Sequence, residues 1–280
     1  MIKPSTYRII LPDSESESLR LIENVNRNIA GVFITRNLFA VSKNRKEFQR
    51  TGVYILVGQT DEDALPRVYV GEGDPVLPRI EQHYSKKDFW TECIIFSSSN
   101  EQLNKAHVQY FESRLIDLAE KAKRCILDNQ NKPATPSLSE ADKADADNFL
   151  ADIVQCSVLL GVSLFKIVIS PSSNNKILTL TSKEITAKGY ESSDGFVVSK
   201  DSQAALEETP SCQNHLRMLR KALIQNGVIV KKENYYQFTQ SYTFNSSSTA
   251  GGVVMGRSIN GRTSWKDSTG VPLKELQENV

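Results

Sequence analysis

The strings Gly52-Val53-Tyr54 and Tyr69-Val70-Gly71 mark the stretch of this chain that decides the fold. Each lies in a run rich in β-branched and aromatic residues, 52–58 and 67–71, which is typical of a β-strand. The connecting residues 59–66 are acidic and end in a proline, as loops do. The sequence therefore predicts a β-hairpin that carries one tyrosine on each strand.

A short helix is predicted to follow the hairpin. Asp74-Pro75 and Pro78 indicate its start, because aspartate is a good helix cap and proline is tolerated in the first turn. Arg79 and His83 are four residues apart within this helix, so their side chains project from one face.

A strand at 90–96 and then a long helix are predicted next. Apolar residues at helical spacing extend this helix from about Glu101 to Ile126, and Asn100 is its expected cap. Glu112 lies inside the helix. His107 lies on its apolar face, where we expect a structural role.

The remaining chain predicts further strands, a helix from Ser139 and a second domain. Two strands, at 6–11 and 31–35, precede the hairpin, and residues 128–138 are irregular because asparagine and proline crowd there. Four strands and one helix are predicted beyond residue 175, at 177–180, 185–190, 196–199, 235–238 and 216–225. The loop at 170–175 is polar and serine-rich.

These elements predict an α+β (mixed α/β) protein of two domains. The expected division is 1–50 for the N-terminal strands leading into the first domain, 51–155 for that domain, 156–175 for a linker and 176–280 for a smaller α+β domain. A chain of 280 residues with 39% hydrophobic content is large enough for a core in each.

Composition limits the class of protein further. No apolar run approaches the ~20 residues that a membrane helix needs, and the N-terminus turns polar early, so we predict no membrane partner and a cytoplasmic location. The four cysteines form no Cys-x-x-Cys pair and are expected to be buried, reduced thiols. With three histidines in the chain, oxygen ligands and therefore Mg²⁺ or Mn²⁺ are favoured over zinc.

Charge does not by itself indicate nucleic-acid binding. The formal net charge is +1, whereas proteins that coat DNA are usually strongly basic. Basic pairs such as Lys86-Lys87 are separated from acidic runs such as Asp61-Glu62-Asp63, but a solvated surface explains most such runs equally well.

The ordered polar residues fit the requirements of phosphodiester hydrolysis. A tyrosine whose hydroxyl is held by a second tyrosine can pass on the proton of a water if nearby positive charge lowers its pKa, and Tyr54 and Tyr69 fit these roles. Arg79 can clamp the phosphate, and Glu112 can hold a magnesium ion largely through water. His83 can share the phosphate or assist proton transfer.

Each residue also has an ordinary alternative. Tyrosines of a hairpin are usually packing residues, and an isolated arginine, glutamate or histidine usually lies at the surface. The catalytic interpretation therefore depends on the whole set converging in space.

The pattern from Gly52 to Pro133 resembles the GIY-YIG nuclease family over about residues 50–136. The resemblance implies a small central sheet flanked by helices, one divalent ion (Mg²⁺ or Mn²⁺), Tyr54 as general base with Tyr69 as its partner, and Arg79 on the phosphate. It also implies an auxiliary role for His83 and metal binding by Glu112. Predicted nucleic-acid contacts are Arg79, Lys87, Asn129 and Asn131, of which either asparagine can be the one the family uses.

The C-terminal part resembles an uncharacterised domain that is often attached to such nucleases. The residues behind this resemblance include Gly252 to Ser258 and Trp265-Lys266. Arg257, Arg262 and Lys266 around Trp265 fit contacts to a phosphate backbone or a stacked base, and a tryptophan that anchors a small core beside a glycine-rich turn is the alternative.

The sequence therefore predicts a divalent-metal-dependent endonuclease that hydrolyses DNA, with restriction or defence as the expected setting and with repair and mobile elements as settings that stay open. The choice between DNA and RNA and the oligomeric state stay open. The alternative is a catalytically inactive module that keeps the fold and binds nucleic acid or protein.

Overall fold

A computed structural model describes most of the chain as two compact units. Unit 1 is Met1–Lys166 and unit 2 is Ile167–Val280. Both combine helices with sheets, so the predicted α+β class is confirmed. The described residues are 5–13, 17–60, 63–168, 175–182 and 185–278.

Unit 1 is built on a seven-stranded sheet with the order β1-β2-β3-β6-β4-β5-β7. Neighbouring strands are antiparallel except β5 and β7, which are parallel. Its elements are β1 (Arg8–Ile10), β2 (Leu19–Asn24), β3 (Ile29–Thr35), α1 (Phe39–Ser42), β4 (Gly52–Gly58), β5 (Arg67–Gly73), α2 (Leu77–Lys86), β6 (Trp90–Ser98), α3 (Lys105–Ala122), β7 (Ile126–Leu127) and α4 (Glu140–Leu159).

The predicted hairpin is confirmed as β4 and β5, with Tyr54 opposite Gly71 and Leu56 opposite Tyr69. Both motif glycines are required by close packing. A Cβ at Gly71 would lie 2.3 Å from the Tyr54 hydroxyl oxygen, and a Cβ at Gly52 would lie 2.4 Å from the carbonyl oxygen of Phe96. Gly71 therefore lets the Tyr54 ring approach β5, and Gly52 lets β6 approach β4.

The two faces of the sheet support different helices. Val53, Ile55 and Val70 point into a core shared with α3 and α4. Tyr54 and Leu56 point to the opposite face, into a core shared with α1 and α2. This alternation is what a strand covered on both sides requires.

The starts of both predicted helices need correction. Asp74 does not cap α2, because the N-cap position is occupied by Val76, which makes no side-chain capping hydrogen bond. Asp74 instead accepts a hydrogen bond from Thr51. The cap of α3 is Asn104, because its side chain accepts from the N–H of His107 while the His107 ring accepts from the Asn104 N–H. His107 is therefore a capping residue.

The sequence also misjudged the flanks of the first domain. β2 was not predicted. The strands β1 to β3 were expected to lead into the first domain, but they are part of the same sheet as the hairpin. At the other end, α4 is capped by Ser139 as expected, but it extends to Leu159 and Phe165 still packs in the core of unit 1. Part of the segment assigned to a linker therefore belongs to unit 1, and the predicted loop at 170–175, apart from Asn175, lies outside the described residues.

Unit 2 contains a four-stranded sheet, β14-β10-β9-β8, and a three-stranded sheet, β11-β13-β12. The four predicted strands and the predicted helix are present, while β11, β12, β14 and three helices were not predicted. Its elements are β8 (Leu178–Thr181), β9 (Thr186–Ser192), β10 (Gly195–Val198), β11 (Gln203–Ala204), α5 (Asn214–Gln225), β12 (Ile229–Lys231), β13 (Tyr236–Phe238), β14 (Tyr242–Phe244), α6 (Ser247–Met255), α7 (Gly261–Ser264) and α8 (Leu273–Glu278).

Trp265 is a core residue, so the prediction of a base stacked on it is wrong. Its side chain is fully buried against Phe196, and its indole N–H donates to the carbonyl oxygen of Ser247 at 3.0 Å. The glycine-rich segment beside it is not a turn, because Gly251 and Gly252 lie inside α6. Arg257, Arg262 and Lys266 are exposed.

The expectations from composition concern the cysteines and membrane-spanning helices. All four cysteines are free and buried, as predicted. Among the described helices, none combines the length and apolar character that a bilayer crossing requires.

Candidate functional site

The candidate residues lie around the outer edge of β5. β7 pairs with the first residues of this strand, Arg67 and Val68. Beyond that point the side chain of Asn129 continues the pairing: its amide oxygen accepts from the Val70 N–H at 3.0 Å and its NH₂ group donates to the Val70 carbonyl oxygen at 2.8 Å. Asn129 therefore acts as a peptide group that completes the sheet, while its contact with nucleic acid stays a prediction. Asn131 is exposed.

Replacing Asn129 is expected to destabilise unit 1. Asn129→Ala removes both hydrogen bonds to Val70, and we expect a loss of about 1–3 kcal/mol in the free energy of unfolding. Denaturant unfolding measures this, with Asn131→Ala as the matched exposed control. Equal stability of the two variants would contradict the structural role.

Tyr54 occupies the centre of the candidate site. Its side chain is fully buried, and its hydroxyl lies 2.9 Å from Nε2 of His83, which is itself 7% exposed. Tyr69 was predicted to hold the Tyr54 hydroxyl, but the partner of that hydroxyl is His83. The Tyr54 and Tyr69 rings instead stack, with centroids 6.2 Å apart. The half-buried Tyr69 ring lies against the His83 ring at 4.5 Å.

The protonation of Tyr54 and His83 follows from their burial. Desolvation, followed by the nearby Tyr69, raises the pKa of Tyr54 well above its ordinary value, and the opposing effect of Arg79 is smaller. Arg79 does lower the pKa of Tyr54, but the condition that nearby positive charge brings this pKa below its ordinary value is not met. Desolvation, Lys87 and Arg79 lower the pKa of His83 to about 4, so its ring is neutral at pH 7. In the tautomer of the neutral histidine that carries its hydrogen on Nδ1, the Tyr54 hydroxyl donates its hydrogen to Nε2.

Arg79 and Glu112 approach the same tyrosine from different helices. Arg79 is an exposed residue of the first turn of α2, and its guanidinium interacts with the Tyr54 hydroxyl. Glu112 is a half-buried residue of α3 whose charge is felt by Tyr54. Desolvation and then repulsion from Glu72 raise the pKa of Glu112 to about 7, against the smaller effects of Arg79 and Lys105.

Lys87 is less available to a ligand than predicted. Its ammonium forms an ion pair with Asp128 and lies 4.7 Å from the centroid of the Tyr69 ring. Asp128 follows β7 directly and also faces Arg67 of β5 at 3.6 Å. Lys87 therefore fixes the Tyr69 ring and the edge of the sheet, while its contact with nucleic acid stays a prediction.

Sequence reasoning missed Glu72 and Lys105. Both Glu72 carboxylate oxygens accept hydrogen bonds from the Lys105 ammonium, at 2.6 and 2.7 Å. Glu72 directly follows the Gly71 that contacts Tyr54, and Lys105 lies seven residues before Glu112 on α3. That spacing, two helical turns, is the signal that places Lys105 on the same face as Glu112.

The donor set at this edge fits one hard divalent cation. Among the described residues, no group of three or more His, Cys, Asp and Glu side chains converges as a metal cage. Magnesium does not need such a cage, because it keeps several waters and is often held by one or two carboxylates. The half-buried Glu112 carboxylate meets that requirement.

Comparison with known proteins finds one family match, which lies in unit 2. A family described as a domain of unknown function, DUF4357, matches residues 178–277. This confirms the prediction of an uncharacterised C-terminal domain, and the matched residues lie entirely in unit 2. No curated protein and no solved structure matches the chain.

Proposed function

We propose that unit 1 is a divalent-metal-dependent endonuclease of the GIY-YIG type that hydrolyses phosphodiester bonds of DNA. The observation that supports this most is the convergence of five side chains at one edge of the sheet: Tyr54, Tyr69, Arg79, His83 and Glu112. They come from two strands and two helices, and packing alone does not require this combination of polar groups in and beside a core.

Tyr54 and His83 form the proton path of this proposal. Because Tyr54 is protonated, its oxygen accepts a proton from the attacking water only as its own proton passes to Nε2 of His83, 2.9 Å away. The low pKa of His83 reflects burial and the cations Lys87 and Arg79. A bound phosphate opposes those cations, and so raises the proton affinity of His83 when substrate is present.

Arg79 and Glu112 supply the remaining roles. The Arg79 guanidinium, which stays charged, binds the phosphate and stabilises the negative charge that develops during hydrolysis. Because the Arg79 guanidinium is hydrogen-bonded to the Tyr54 hydroxyl, a phosphate bound by Arg79 lies beside the group that takes the proton of the attacking water. Glu112 holds the cation, which when bound provides Lewis-acid stabilisation of the phosphate charge.

The affinity of the site for a divalent ion is expected to increase with pH up to about 7. The pKa of Glu112 is raised to about 7, so protons compete with the ion below that value. We expect Mn²⁺ affinity, measured by the electron paramagnetic resonance of free Mn²⁺, to increase through this range and level off above it. Affinity that stays flat from about pH 5 to about pH 8 would contradict a role for Glu112.

The same carboxyl predicts the sign of a stability effect. Its folded-state pKa of about 7 exceeds the ordinary value of 4.5, so the folded protein retains a proton that the unfolded chain has lost. Without metal, this group therefore favours folding less as pH rises from 4.5 to 7.

Incubation of the purified full chain with supercoiled plasmid and with single-stranded DNA tests the proposal. Nicking that requires Mg²⁺ or Mn²⁺ and stops on chelation is the expected result. Absence of cleavage at every pH and with either metal would remove the enzyme assignment. RNA substrates in the same assay distinguish a ribonuclease.

A binding module that does not cut is the second candidate, and the complete burial of Tyr54 favours it. Intact DNA with salt-dependent mobility shifts would select this candidate. In either case we propose a targeting or DNA-sensing role for unit 2 within a cytoplasmic restriction or defence system.

A further inference from the structure

The ion pair between Lys105 and Glu72 lies next to the candidate site. Glu72 has 14% of its side chain exposed, whereas Lys105 has 55% exposed. The carboxylate is thus anchored in the protein and the ammonium faces solvent. An ammonium has three donors, and the two Glu72 oxygens occupy two of them. One donor of Lys105 stays available to a ligand.

Electrostatics places this pair between the two helices of the site. The charge of Glu72 acts on Arg79 of α2 and also on Glu112 of α3. The charge of Lys105 acts on Glu112 as well. The Lys105 ammonium is therefore near the carboxylate that would hold the metal, and it is bonded to Glu72, whose charge also acts on Arg79.

When Glu112 is ionised, above its pKa of about 7, the charges of this group sum to zero, since Arg79 and Lys105 balance Glu72 and Glu112. A nucleic-acid strand presents phosphates in succession, so a single arginine meets one phosphate and leaves its neighbours without a partner. Both Lys87 and Lys105 are paired with a carboxylate, but the Lys87 side chain is 24% exposed and the Lys105 side chain is 55% exposed. Lys105 is the cation at this edge that combines exposure with a fixed position.

We propose that Lys105 binds a DNA backbone phosphate adjacent to the one held by Arg79, and that Glu72 is the positioning residue that holds the Lys105 ammonium there. This inference rests on the proposed function of unit 1. It identifies a substrate strand that passes over the edge of β5, from the first turn of α2 to the first turn of α3.

DNA binding without cleavage provides the test. Fluorescence anisotropy of a labelled duplex is measured without divalent metal, over a series of KCl concentrations, with all substitutions made in a Glu112→Gln background. Lys105→Met is expected to weaken binding about tenfold at low salt and to reduce the slope of log affinity against log salt by about 0.9. Lys105→Arg should retain both values, because it retains the charge.

Two further variants separate a phosphate contact from indirect effects. Lys43→Met removes a comparable half-exposed lysine, paired with Glu81 at 3.0 Å, and should leave the slope unchanged. The double variant Glu72→Gln/Lys105→Met leaves no unpaired carboxylate and keeps the net charge. It should bind as weakly as Lys105→Met if Lys105 contacts phosphate.

The outcomes distinguish this inference from the function on which it rests. The Lys105 contact would be overturned if the double variant binds DNA as tightly as the Glu112→Gln parent. It would also be overturned if Lys105→Met leaves the salt slope unchanged. Neither result affects the nuclease proposal. A parent protein that neither binds DNA in this assay nor, with Glu112 restored, cuts it would overturn the nuclease proposal itself.

Discussion

Glu112→Gln is expected to lower the rate of metal-dependent DNA cleavage by about 10³-fold or more. The substitution keeps the size of the side chain and removes the charge that holds the ion. Desolvation raises the pKa of the half-buried Glu112, which means that its charge is unfavourable in the folded protein. Removing that charge therefore does not lower the free energy of unfolding. We therefore expect the fold to be retained, with stability at neutral pH equal to or above that of the parent.

Glu120→Gln is the matched control on the same helix. Glu120 is exposed and pairs with Lys132 at 3.2 Å, so its loss should leave cleavage unchanged. Single-turnover cleavage at saturating Mg²⁺ separates the chemical step from substrate binding. If Glu112→Gln cuts within about tenfold of the parent rate, the ion is held elsewhere and the site assignment fails.

The hairpin was predictable because its information is local. Strand-forming residues, two glycines and a proline-terminated loop all favour the same hairpin, and the pairing of Tyr54 with Gly71 confirms it. β2 was missed for an equally local reason. The turn between β2 and β3 contains neither glycine nor proline, and the chain reverses through Asn28, which adopts φ 54°. An asparagine indicates a turn less strongly than a glycine does, because it adopts the left-handed conformation less often.

The start of α3 shows where local rules leave a choice. Asn100 and Asn104 are both acceptable caps, and residue type does not separate them. Asn104 is the cap because His107, three residues later, returns a hydrogen bond to its backbone. Glu101, with φ 59°, lies outside the helix.

The site residues were predictable as a set, but their partners were not. Order along the chain indicated Tyr54, Arg79, His83 and Glu112. It did not show that His83 rather than Tyr69 meets the Tyr54 hydroxyl, since that depends on how deeply α2 packs on the sheet. The same limit explains Asn129, whose amide completes a sheet edge that exists only in the folded chain.

Tyr54→Phe is expected to reduce the cleavage rate by about 10²- to 10⁴-fold, the range in which removal of an acid–base group usually falls. The ring and its packing are retained, so the lost function is that of one hydroxyl. His83 then loses its partner for Nε2 inside the protein, which adds a destabilisation of about 1–3 kcal/mol. Thermal or denaturant unfolding separates this loss from the loss of rate.

Tyr69→Phe distinguishes which of the two tyrosine hydroxyls accepts the proton of the attacking water. Tyr69 is half-buried and fixed by ring contacts to His83 and Lys87, which phenylalanine largely retains. We expect its rate to fall much less than that of Tyr54→Phe under identical single-turnover conditions. The reverse order, with Tyr69→Phe the slower enzyme, would transfer the base to the more exposed tyrosine and make Tyr54 the residue that fixes His83. Equal, near-parent rates for both variants would exclude a phenol from the proton path, because neither hydroxyl would then be needed to activate water.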